Sequence, residues 1–167
     1  PGKSTNRTVI TFVGPPETVG EAAFRLIKKA SELIDMSKHS GEHPRMGATD
    51  VCPFVPVAGV TMEDCIKVAH EVGERVGREL GIPGYFYESA AKRPERKNLA
   101  MCRKGQYEGL GKLSTEEGAP DFGPADFNET ARRTGATAVG ARDFLIAYNI
   151  NLNSTSSRRA NAIAFDI

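Results

Sequence analysis

Between Ser40 and Asp50 the sequence reads Ser40-Gly41-Glu42-His43-Pro44-Arg45-Met46-Gly47-Ala48-Thr49-Asp50, which sets a carboxylate, an imidazole and a guanidinium almost side by side. Imidazole is the side chain that takes and returns a proton near neutral pH without a large perturbation, so His43 is the candidate general acid and base. Glu42 and Asp50 are the nearest carboxylates able to orient it. Arg45, and Arg142 after Gly140-Ala141, each offer a fork of N–H donors matched to a carboxylate ligand. From spacing alone His43 reads equally as a buried hydrogen-bonding residue, and each arginine as an ordinary ion pair. Gly41, Pro44 and Gly47 impose an irregular backbone, and such loops carry function because the scaffold holds them while their side chains stay reachable.

The elements on either side must do the holding. Asn6 to Val13 alternates β-branched and aromatic residues up to Gly14-Pro15-Pro16, which predicts a strand. Glu17 to Met36 places Val19, Ala23, Leu26, Ile27, Ala30 and Ile34 on one helical face, with Pro16 suited to the first turn. After the loop, Val51 to Val57 carries Pro53 and Pro56, which cannot donate to a ladder, so an edge strand is expected. Thr61-Met62-Glu63-Asp64 has the form of a capping box, and the helical period then continues to Gly81. Gly84 to Tyr87 reads as a short aromatic strand, Asn98 to Gln106 as a short helix, and Leu145 to Leu152 as a strand. A further helix starts at Thr155. Glu116 to Gly140 is polar and rich in glycine and proline, with Asp121-Phe122-Gly123-Pro124 and Gly135-Ala136-Thr137 as turn signals, and reads as a long functional loop. The pattern predicts an α+β domain in which helices cover one face of a mixed sheet and leave the other for a partner layer or ligand.

At 167 residues and 40% hydrophobic the chain can bury one core. Twenty-two basic residues against 21 acidic ones give no field for nucleic acid or a membrane surface. Cys52, Cys65 and Cys102 are odd in number and lack metal-ligand spacing, which points to reduced thiols and, with no leader or apolar span visible, to the cytoplasm. Pro1 and Ile167 read as cuts from a longer chain. Gly2-Lys3-Ser4-Thr5 has the spelling of the end of a P-loop but precedes a β-branched run instead of a helix. His39-Ser40-Gly41-Glu42-His43 spells the H-x-x-E-H of zinc hydrolases, yet Gly41 and Pro44 disfavour the helix that pattern needs.

Taken together, Ser4 to Val9, Phe12 to Pro16, Gly41 to Gly47 and Asp50 to Phe54 resemble the N-terminal half of glutamate formimidoyltransferase, the transferase part of formiminotransferase-cyclodeaminase. The similarity continues through Arg103 to Leu110, Pro120 to Pro124 and Gly135 to Arg142, and so runs along nearly the whole chain. It implies formimino transfer between N-formimino-L-glutamate and tetrahydrofolate as co-substrate, without a metal, in a homodimeric enzyme of histidine breakdown. It also implies a ferredoxin-like two-layer sandwich. Residues 1–152 would form the N-terminal subdomain without its first strand and helix, and 153–167 a helix leading to a second subdomain that closes over the folate. The family's catalytic histidine falls on His43, and its folate-contacting loop on Gly123 to Gly135. Gly123, Pro124, Ala125, Phe127, Gly135 and Ala136 would then line the folate, while Arg45 and Arg142 would meet the carboxylates of the two substrates. The rival reading is a non-catalytic N-terminal subdomain kept as a folate-binding or interaction module.

Overall fold

Two helices lie across one face of a small parallel sheet. The computed structural model describes residues 2–146 and 150–166. Helix α1 (Pro16–Leu33) starts on Pro15-Pro16, whose fixed φ suits a first turn, and buries Ala23, Phe24 and Ile27. Helix α2 (Met62–Arg75) is opened by the expected capping box: Thr61 accepts from Asp64 N, and the Asp64 carboxylate accepts in return from Thr61 N. It continues as a widened turn, Val76–Leu80, to Gly81 in the left-handed region. The helices are locked together by Arg75, which lies 3.7 Å over the Phe24 ring and pairs with Glu21. Full burial of side chains such as Ile27, Val76 and Phe86 is worth roughly 1.5–3 kcal/mol each. That outweighs the few tenths expected of exposed helix pairs such as Arg25–Glu21, so packing on the sheet sets where the helices sit.

Strands β1 (Val51–Phe54), β2 (Gly84–Glu88) and β3 (Thr137–Ala141) form a sheet in the order β1-β3-β2, parallel throughout, with Cys52 and Phe86 flanking Val139. The helices and strands agree with the α+β expectation, but the mixed sheet is replaced, among the described residues, by three parallel strands. Strand β1 takes the edge, as its proline demands. Both faces are covered. Phe54, Phe86, Val139 and Ala141 pack under α1 and α2. Tyr85, Tyr87 and Ala138 pack against Met46, Leu110, Leu113 and Ala131. That second layer is built from the single-turn helix α3 (Leu99–Cys102), the 3-10 segment Tyr107–Lys112 and helix α4 (Glu129–Thr134). The expected open face is therefore closed by short helices.

Three sequence expectations need correction. The central strand β3 overlaps the stretch read as a loop, with Thr137 to Gly140 inside it and Ala141 just beyond. All five of its residues are buried, and they are small because side chains press on the strand from both sides, so it carries neither alternation nor bulk. The predicted strand at Asn6 to Val13 is instead a turn followed by unpaired chain, with Val9, Ile10 and Val13 exposed. Alternation marks a strand only where a sheet edge receives it. The predicted strand from Leu145 includes 147–149, outside the described residues; Leu145, Ile146 and Ile150 are exposed and not in strand. Helix α5 (Ser157–Asp166) begins close to its expected start.

Candidate functional site

The loop between α1 and β1 is pinned to the N-terminal end of the sheet. Asp50 holds it from one side: Oδ1 accepts from Met46 N at 2.8 Å, and Oδ2 pairs with Arg103. The approach to β3 holds it from the other, with Ala136 N donating to Met46 O at 2.9 Å and Ala48 N to Thr134 O at 2.7 Å. The two backbones come so close that only glycines fit at Gly47 and Gly135. A Cβ on Gly47 would lie 2.1 Å from Ala136 O, and one on Gly135 would lie 2.1 Å from Met46 O. Gly47→Ala is therefore expected to destabilise the fold by about 1–3 kcal/mol, the range for forced overpacking, measured as a lowered denaturant midpoint. An unchanged midpoint would show that the loop is not held in this way.

Residues 2–7 make the other wall. Asn6, in the left-handed region with φ 48, turns the chain so that its side-chain amide donates to Ser40 O at 2.9 Å and meets His39 Nδ1 at 3.2 Å. Glu42 N donates to Ser4 O at 3.2 Å. Next in sequence, Arg7 Nη1 meets His43 Nε2 at 2.5 Å, while His43 Nδ1 lies 2.7 Å from Pro44 O. A carbonyl only accepts and a guanidinium only donates, so this network assigns the proton to Nδ1 and leaves the lone pair on Nε2. Neither Glu42 nor Asp50 bonds to the imidazole among the described residues. Its orientation comes from Pro44 and Arg7, and Arg7 was hidden within the stretch read as a strand.

Arg45 is half-buried and already committed. It forks Glu108 through Nη1 to Oε2 at 2.8 Å and Nη2 to Oε1 at 2.6 Å, reaches His39 O at 3.2 Å, and lies 5.8 Å over the Tyr107 ring. Its guanidinium holds the Glu108 carboxyl down at about 2, and Glu108 in turn raises Arg45. The folded value lies below the ordinary 4.5, so the stabilisation from this pair is present above about 4.5 and is lost as pH falls toward about 2. Carboxyl NMR should find Glu108 titrating near that low value, and back in the ordinary range in Arg45→Met. An ordinary value in the parent would mean that the fork does not persist in solution.

The other predicted residues divide by position. Phe127 packs edge-on against Tyr107, with ring centroids 6.1 Å apart, and Tyr107 N donates to Arg45 O. A half-buried aromatic pair therefore runs directly from the loop. Gly123 to Ala125 lie at the same end of the sheet: Gly84 N donates to Phe122 O at 3.0 Å, and Gly123 packs so tightly on Gly77 that a Cβ there would meet its nitrogen at 2.5 Å. Gly135 and Ala136 are buried behind Met46 and Gly47, where they support the loop. Arg142 is not brought together with these. It follows the C-terminal end of β3, roughly 20 Å from Gly135 at about 3.3 Å per strand residue, and its Nη1 donates to Asp143 O. Burial pushes the neighbouring Tyr87 phenol up to about 12, with the Arg142 side chain pulling the other way. Among the described residues no group of three or more His, Cys, Asp or Glu is placed to hold a metal, the three cysteines are unpaired, and no helix is long and apolar enough to cross a membrane.

A turn at 4–7 and a loop at 39–47 that meet on one histidine involve the same segments that carry the resemblance, and comparison with known proteins decides the family. Residues 1–142 match the family described as "Formiminotransferase domain, N-terminal subdomain". The chain belongs to this family. It is 54% identical over 162 residues to the glutamate formimidoyltransferase of Streptococcus pyogenes serotype M1, covering 96% of this chain and 53% of that protein. It is 50% identical over 162 residues to the glutamate formimidoyltransferase of Thermoplasma acidophilum, covering 95% of this chain and 52% of that protein. It is also 54% identical over 167 residues to the formimidoyltransferase-cyclodeaminase of Mus musculus, covering 99% of this chain and 30% of that protein. The chain thus spans about half the length of the transferases that it matches.

Proposed function

We propose that the full-length protein transfers a formimino group between N-formimino-L-glutamate and tetrahydrofolate in the cytoplasm, with His43 as general acid and base. Membership of the formiminotransferase family supports the reaction class, and the paired walls around His43 support the residue. Tetrahydrofolate supplies the secondary amine that accepts the formimino carbon. A new C–N bond forms there while the bond to the glutamate nitrogen breaks, so one proton must leave the first nitrogen and one must arrive at the second. His43 Nε2, once the Arg7 bond to its lone pair opens, takes the first proton and returns it to the departing amine.

The folate fits the residues present. Tyr107 and Phe127 offer an apolar, half-buried edge for a flat ring, and the turn Gly123 to Ala125, exposed at Gly123 and Ala125 and half-buried at Pro124, supplies backbone polar groups at the same end of the sheet. Arg142, at the far end of β3, would serve only a carboxylate on the folate tail. A second subdomain of the full chain would close the opposite wall in a ferredoxin-like pair, within a homodimer. The test is to incubate the purified full-length protein with both substrates and follow 5-formiminotetrahydrofolate and glutamate by mass spectrometry. Stoichiometric appearance of both supports transfer. A folded full-length protein that binds folate and forms neither product would leave the binding-module reading in its place.

A further inference from the structure

The Arg7–His43 contact has the wrong chemistry for a finished ion pair. Of the guanidiniums around this end of the sheet, among the described residues, Arg45 pairs with Glu108, Arg103 with Asp50 and Arg96 with Asp121, while Arg133 donates to the backbone oxygen of Glu32. Arg7 has a neutral imidazole nitrogen instead, and it is exposed. A carboxylate offers a guanidinium a full opposite charge and a second parallel N–H···O bond, so it displaces an imidazole readily. The nitrogen that Arg7 covers is also the one that the proton shuttle needs.

We propose that Arg7 binds the α-carboxylate of the formimino amino acid, and that it caps His43 Nε2 until that carboxylate arrives. This inference rests on the transferase reading and adds to it the residue that receives the substrate. Two carboxylate sources exist, the amino acid and the glutamate tail of folate, and distance selects the first. Arg7 lies within hydrogen-bond reach of the proton-shuttling nitrogen, so its ligand must lie close to the reacting atoms. The α-carboxylate of formiminoglutamate is separated from the departing nitrogen by the α-carbon alone, whereas the folate tail is separated from the accepting amine by an aminobenzoyl ring. Asn6 and Ser4 hold the segment to the loop through bonds that do not use the Arg7 side chain, so the guanidinium can swing from imidazole to carboxylate while the wall stays in place. No proton changes hands in this step. One hydrogen bond on Nε2 is exchanged for two on the ligand.

The experiment uses the full-length protein with 15N-labelled histidine. N-acetyl-L-glutamate, an unreactive stand-in, should saturably move the His43 Nε2 resonance as the Arg7 bond is released. Its α-amide should need at least ~10-fold more to do the same, and the amide-to-acid difference should vanish in Arg7→Gln, in line with the loss of a hydrogen bond to a charged group. In turnover, Arg7→Gln should lose about 10–100-fold in kcat/KM for formiminoglutamate, mostly in KM, with Arg7→Lys between it and the parent. Substituting tetrahydropteroate, which lacks the glutamate tail, should leave the Arg7→Gln defect unchanged. A defect that disappears with tetrahydropteroate would assign Arg7 to folate and overturn the proposal. So would an Arg7→Gln enzyme that still discriminates acid from amide, or a His43 resonance unmoved by the acid. If the protein shows no formimino transfer at all, the resonance experiment still answers for Arg7, so the two readings fail separately.

Discussion

Replacing His43 by alanine in the full-length protein is expected to lower formimino transfer about 10²–10⁴-fold, the loss typical of a general acid-base residue, with the fold intact. The expectation of an intact fold follows from the contacts: His43 is half-buried and, among the described residues, its ring bonds only to an exposed arginine and to the carbonyl of its own neighbour. The loop is held by Asp50, Met46 and Gly47, which the substitution does not touch. The loss should fall on kcat more than on KM, because the imidazole acts on protons that move in the transition state and does not bind either substrate in the ground state. Circular dichroism and a thermal melt beside the assay separate chemistry from folding. A folded His43→Ala protein retaining a tenth of the parent rate would remove His43 from the reaction and return it to the role of a hydrogen-bonding loop residue.

How much of this arrangement was legible depended on whether the determining contacts were local. The two long helices declare themselves through a 3.6-residue period, a proline entry and a capping box, all of which act within a few residues, and the proline in β1 places that strand at an edge. The site loop is legible for the same reason, since Gly41, Pro44 and Gly47 exclude regular structure around two chemically capable side chains. Strand β3 fails the local test. Gly140 is there because the Tyr87 ring occupies the space of a side chain, with Cε1 2.4 Å from where a Cβ would lie. In sequence that glycine, with Gly135, looks like a turn. Partners distant in the chain are the other blind spot. Arg7 meets His43 across 36 residues and Arg45 meets Glu108 across 63, so no spacing rule links either pair. Arg45 reads in sequence as a cation awaiting a substrate, and only the fold shows that Glu108 already occupies it.

Arg96→Ala is expected to cost about 3–5 kcal/mol of stability, the largest loss we anticipate from a single side chain, because it strands one half of a buried ion pair. Arg96 and Asp121 side chains are each 5% exposed and meet at 2.6 Å from Nη1 to Oδ1. Arg96 Nη2 also donates to Ala119 O at 2.6 Å, and its guanidinium lies 4.7 Å from the Tyr85 ring centre. Asp121 Oδ2 accepts from Phe86 N at 2.8 Å, where the outer edge of β2 would otherwise leave a buried donor without a partner. Truncation leaves that carboxylate with one backbone donor and no counter-charge, and a void beside Tyr85. Asp121→Asn should cost less, since the amide oxygen can still accept from Phe86 N, although the arginine loses its charge partner. A double-mutant cycle with Arg96→Met and Asp121→Leu should show a coupling of about 1–3 kcal/mol, because removing both charges costs less than the sum of removing each. Functionally the pair matters through the chain that follows it. Asp121 fixes the turn leading through Phe122 to Gly123, so loosening it should speed amide exchange at Gly84 and Phe86 and weaken folate binding without altering the His43 loop. Denaturant unfolding with hydrogen exchange at these two amides checks the prediction, and a loss under 1 kcal/mol would mean that water reaches this pair in solution and that the turn is held by backbone contacts alone.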